Sequence, residues 1–119
     1  MIVECTEVIG PGTSGGGGDG PLVINDQTDS YVLQLPDAND YVRMDKATAL
    51  NLTIPPNSSV DFPIGTVITI RQVGVGQVTI VEGVGVTANG EKLIVTQNRT
   101  ASIIQVAIDE WDITGSVTT

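Results

Sequence analysis

From Leu50 to Glu82 apolar side chains return at every second position in three consecutive runs, and each run is cut by residues that stop a regular ladder. In the first run Leu50, Leu52 and Ile54 share one face, while Asn51 and Thr53 share the other. Alternate residues of an extended chain point to opposite sides, so this period of two marks a strand with one face buried and one wet. Pro55 and Pro56 end the run because neither carries an amide proton for a ladder, and Asn57, Ser58 and Ser59 bring oxygens that satisfy turn amides. Thr66 to Arg71 alternates again with Ile68 and Ile70 inward, and Gln77 to Val81 resumes with Val78 and Ile80 inward. Between them Val73-Gly74-Val75-Gly76 is expected to reverse the chain through glycine at positive φ. Strands joined by such turns predict an antiparallel β domain.

The flanking sequence extends this pattern. Leu22 to Ile24 reads as a short strand, Asn25 to Ser30 as polar turn, and Tyr31 to Leu35 as a strand with Tyr31, Leu33 and Leu35 on one face. After the break at Pro36 to Asp40, Tyr41 to Met44 is the next strand, and Asp45 to Ala49 is a small turn or a single helical turn capped by Asp45. Val84 to Ala88 and Lys92 to Gln97 are expected to pair about Asn89-Gly90, the dipeptide that suits a type I′ hairpin. Ala101 to Ile108 is the last long strand, with Ile104, Val106 and Ile108 inward, and Asp109-Glu110 turns the chain towards Trp111, which caps one end of the core. Turn signals recur roughly every 8–12 residues with no amphipathic helix between them. The expectation is an all-β fold, a compact antiparallel β-sandwich or barrel-like domain over residues 22–119.

Residues 1–21 read differently. Met1 to Ile9 is apolar with high β propensity, and the glycine-rich stretch from Gly10 to Pro21 separates it from the domain. Such a linker is a flexible coil with a reach of about 20 Å. A nine-residue arm cannot fold alone, so Ile2, Val3, Cys5, Val8 and Ile9 are the expected partner-binding residues, either on an edge of their own domain or on the sheet of another subunit. The glycine cluster lacks the Gly-Lys-Ser/Thr ending and the following helix that a phosphate loop needs.

Aromatic residues make up only 3% of the chain, so an aliphatic core must hold the fold. A domain of this size buries about two-thirds of its unfolded surface, which makes oligomerisation an expected source of stability. The net charge of −9, with five basic residues in all, disfavours nucleic acid as a partner. No apolar run approaches the roughly 18 residues of a membrane-spanning helix, and the leading decapeptide lacks the basic start of a secretory signal. The expectation is a product made in a cytoplasm, with no membrane partner. Cys5 is the single cysteine, which leaves no internal disulfide.

Acid–base or nucleophilic catalysis needs a positioned group of matched pKa, and the chain has no histidine, no Gly-x-Ser-x-Gly elbow and no Cys-His pair. Asp37, Asp40, Asp45, Asp109 and Glu110 are the pool considered for a carboxylate pair, and each falls at an expected turn where Asp serves local hydrogen bonding. Calcium is the least implausible metal for such turns, but no EF-hand or nonapeptide spacing occurs. No enzyme activity, cofactor or metal is expected.

The stretches YVLQLPDANDYVRMD (31–45), LTIPPNSSVDFPIGTVITIRQVGVGQVTIV (52–81) and IDEWDITG (108–115) together resemble a small β module of tailed-bacteriophage virion proteins. The resemblance covers about two-thirds to three-quarters of the chain and is most specific from Pro55-Pro-Asn-Ser-Ser59 to Gly76-Gln-Val-Thr-Ile80. It implies a virion setting and commonly a homotrimer. In longer members the module is appended to fibre or tail domains, whereas here only the arm and linker precede it. The implied function is a capsid decoration or cement protein on the outer capsid surface, made in the host cytoplasm and binding major capsid protein. The alternative is a tail or head fibre tip that binds a host-surface receptor or glycan.

Overall fold

The computed structural model describes residues 21–119, so the arm positions Ile2, Val3, Cys5, Val8 and Ile9 lie outside the described residues. Eleven strands follow in order: β1 (Ile24–Gln27), β2 (Tyr31–Val32), β3 (Tyr41–Met44), β4 (Leu50–Ile54), β5 (Val67–Gln72), β6 (Val78–Glu82), β7 (Thr87–Asn89), β8 (Leu93–Ile94), β9 (Arg99–Ala107), β10 (Glu110–Gly115) and β11 (Val117–Thr118). They build two sheets, ordered β1-β3-β5-β9-β10-β7 and β11-β8-β6-β4-β2. The expected all-β, two-layered body is there.

Its strand polarity differs from the antiparallel expectation. Through the first six strands the chain alternates between the sheets, odd-numbered strands in one and even-numbered strands in the other. Consecutive strands within a sheet are therefore parallel: β1 with β3, β3 with β5, β2 with β4, and β4 with β6. Each pair of strands is one coil, and three coils stack in register. Only then does β9 run antiparallel to β5 and β10 antiparallel to β9. A period of two records which face of a strand is buried; it is the same for either polarity, because the ladder partner does not enter the alternation.

The alternation itself is met where one face is polar. Leu50, Leu52, Ile54, Ile68, Ile70, Val78 and Ile80 all lie in the core between the sheets, as their spacing requires. The phase fails on β9, where Ala101, Ile103 and Gln105 point inward and Ile104, Val106 and Ile108 do not. Ile103 and Ile104 are adjacent, so apolarity alone could not select the face. Gln105 is fully buried: its Nε2 donates to Asn57 Oδ1 at 2.6 Å, while its Oε1 finds no partner among the described residues, so the bond offsets only part of the cost of removing the amide from water.

The turns change meaning in this winding. Val73–Gln77 does not fold β5 back on β6; it carries the chain from one sheet to the other, over the preceding link 45–49. Gly74 and Gly76 do not have positive φ. They are needed because a Cβ on either would fall inside contact distance of the Lys46 or Thr48 carbonyl oxygen, so only glycine lets the stacked links touch. Buried Gln72 secures the crossing by donating to the Gly74 carbonyl at 3.2 Å and accepting from the Val78 amide at 3.1 Å. Asn89-Gly90 likewise makes no hairpin: β7 pairs with β10 and β8 with β6, in opposite sheets. The Asp45–Ala49 link is bends rather than a helical turn, and Leu35 starts a short 3-10 turn with its side chain exposed.

Candidate docking surface

Apart from the short crossings at 90–92 and Ser116, the links between the sheets gather at two ends of the body. Links 28–30, 45–49, 73–77 and 95–98 form what we term the upper end, and links 33–40, 55–66, 83–86 and the β9–β10 turn at 108–109 form the lower end. The chain enters the described body at Pro21 on the lower end, just before β1.

The two ends differ in charge, the upper one mixing both signs and the lower one acidic. Arg43, Lys46, Arg71 and Arg99, four of the five basic residues, lie at the upper end, where Arg43 pairs with Asp26 at 2.9 Å and Lys46 with Asp29 at 2.8 Å. The Lys46 ammonium holds the Asp29 carboxyl below its ordinary range. Asp37, Asp40, Asp61, Glu82, Asp109 and Glu110 lie in or beside the lower links, and among the described residues no Lys or Arg does. Leu22, Val23, Leu35, Ile64, Val84 and Ile108 are exposed at the same lower end, Val84 by 90% and Ile108 by 60%. Apolar side chains and carboxylates thus share one surface.

That surface stands on a rigid base. Trp111 and Phe62 are buried and meet edge to face, ring centroids 5.6 Å apart, between the sheets. Trp111 closes the core as its position at the end of the last hairpin implied. Over it, the Asn57 amide nitrogen donates to Asp109 Oδ1 at 2.7 Å, and Asn57 Nδ2 donates to Asp61 Oδ1 at 2.9 Å. With the Gln105 bond these contacts tie the 55–66 link to β9 and to the β9–β10 turn, where Asp109 takes positive φ. Nothing in the pattern around Asn57 beyond a Pro-Pro-Asn turn marks it as the keystone of this end, since its partners are 48 and 52 residues away.

The carboxylates considered for acid–base chemistry fall into separate places. Buried Asp37 accepts from Asn25 Nδ2, Tyr31 Oη and the Gln34 amide, each at 2.8 Å, and so caps the open first coil with polar bonds where the apolar core stops. Burial, together with the bond to Asp37, pushes the Tyr31 hydroxyl up to about 12. Asp40 is buried beside it; loss of solvent raises its pKa and the Asp37 charge adds to this, against a 3.4 Å bond from the Val23 amide. Asp45 lies at the other, upper end, and Glu110 accepts from Asn89 at 3.0 Å on the outer face of β10. Among the described residues no group of three or more His, Cys, Asp or Glu is placed to hold a metal ion.

The raised pKa of Asp40 carries a sign. A carboxyl that is harder to ionise when folded favours the folded state below that raised pKa and opposes it above. Asp40→Asn, which keeps the acceptor oxygen for Val23, is therefore expected to raise the urea midpoint at pH 7. Its advantage should shrink as pH falls through the raised Asp40 pKa. A midpoint difference that stays constant from pH 7 to pH 3 would refute the assignment.

Comparison with protein-family models, with curated proteins and with solved structures finds no match to this chain.

Proposed function

We propose that this protein is a bacteriophage virion structural protein, a decoration or cement protein that binds major capsid protein on the outer face of the head as a homotrimer. The reading rests on the sequence resemblance from Tyr31 to Gly115, and the observation that favours docking over turnover is the lower end, where apolar side chains stand exposed on a hydrogen-bonded base. Asp37, Asp109 and Glu110 accept hydrogen bonds from side chains or backbone amides within the fold, which suits carboxylates that hold turns rather than reacting groups. Phe62 and Trp111 are buried, and Tyr31 and Tyr41 half-buried, so the aromatic platform of a glycan-binding fibre tip is not among the described residues. Three copies would multiply modest contacts into high avidity, and the arm residues Ile2, Val3, Cys5, Val8 and Ile9 would add a strand to a neighbouring sheet.

Binding of the purified chain to heads that lack it is the test. We expect saturable binding that is abolished by deleting residues 1–20, and sedimentation as a trimer at micromolar concentration. Binding to host cells instead, unaffected by the deletion, would overturn the proposal in favour of receptor recognition, and a monomer would remove the avidity argument.

A further inference from the structure

We infer that the body docks through its lower end onto a basic, partly apolar protein surface, with the upper end turned away. The inference deepens the docking role proposed above and rests on it only for the partner's identity; the chemistry of the surface comes from the fold itself.

The winding leaves the lower links with carboxylates and no cation among the described residues, and sends Arg43, Lys46, Arg71 and Arg99 to the other end, where Asp26, Asp29 and Asp45 offset most of their charge. A surface that mixes Ile64, Val84 and Ile108 with Asp61, Asp109 and Glu110 repels phosphate-rich nucleic acid and anionic lipid headgroups. It attracts a protein face carrying Lys or Arg between apolar residues, because opposite potentials steer the encounter while exposed apolar area adds affinity on contact. A second copy of this chain fits less well. At its upper end two of the four cations are already paired within the chain, by Asp26 and Asp29, and among the described residues Val75 and Val95 are the large apolar side chains exposed there.

A further observation favours this end. The Asn57 bonds to Gln105, Asp109 and Asp61 hold the 55–66 and 108–109 links in one geometry before any partner arrives, which lowers the ordering cost of binding.

The test uses the full-length, isotope-labelled chain and a twelve-residue peptide of alternating leucine and lysine as the probe. Amide shifts are expected to cluster in links 33–40, 55–66, 83–86 and 108–109. The double variant Val84→Lys with Ile108→Lys should weaken binding by about tenfold through like-charge contacts, whereas Val75→Lys at the upper end should leave it unchanged. Both substituted lower-end side chains are largely exposed, so the double variant should melt as the parent does. Shifts centred on the upper links, equal affinity for parent and double variant, absence of binding at millimolar peptide, or self-association of the chain through its lower end would each overturn the inference. Lower-end binding of the peptide together with failure of the intact chain to bind heads would instead sink the virion reading and leave the docking surface standing.

Discussion

Gly76→Ala is expected to lower the stability of the body by about 3 kcal/mol, the upper range for forcing extra atoms into a packed site, and to shift the urea midpoint accordingly. The added Cβ would point at the Thr48 and Lys46 carbonyl oxygens of the link stacked beneath, and backbone cannot swing aside as a long side chain can. The Gly76 amide also donates to the Lys46 carbonyl at 2.9 Å, so any movement that relieves the clash stretches this bond. Gly65→Ala provides the contrast: nothing lies within 4 Å of a Cβ there, and only its positive φ of 93° opposes the change. That conformation costs about 1–2 kcal/mol for an L-residue. If Gly76→Ala costs no more than Gly65→Ala, the links do not stack as described and the coil arrangement is wrong.

Trp111→Ala should be the most damaging single truncation, costing about 3–5 kcal/mol. The indole is the largest buried side chain, packed edge to face on Phe62, in a core with few other rings to close over the space. Trp111→Phe should cost far less than the alanine change. It keeps most of the ring contact with Phe62 and removes Nε1, a buried donor with no partner among the described residues, whose desolvation burdens the native state. Thermal and urea unfolding of the two variants measure the difference directly. Equal losses would mean that Trp111 is not packed in the core, and the lower end would then lack its base.

The core-facing residues of β4, β5 and β6 were legible because polar Asn51, Thr53, Thr69 and Thr79 occupy the intervening positions and leave one choice of face. β9 was not legible because Ile103 and Ile104 offer both choices, and the deciding bond, Gln105 to Asn57, joins residues 48 apart. Gly74 and Gly76 were legible as necessary but not for the right reason: a glycine that admits positive φ and one that admits a neighbouring carbonyl look alike in a sequence. The exposed apolar and acidic lower end was missed for a related cause. Leu22, Leu35, Ile64, Val84 and Ile108 are scattered singly along the chain, and only the winding gathers them with the carboxylates at one end.

The chain's own residues determine that it forms short strands, which side of most strands is apolar, where it turns, and that its core is aliphatic and its charge strongly negative. These are local or additive properties, set by alternation, by proline and glycine, and by composition. Tertiary structure alone decides that β1 to β6 wind between two sheets, that neighbouring strands in those coils run parallel, and that four of the five basic residues gather at the end away from the lower links. Those depend on which distant backbone each strand pairs with, and a ladder is made by two segments, so neither segment carries its partner in its own sequence.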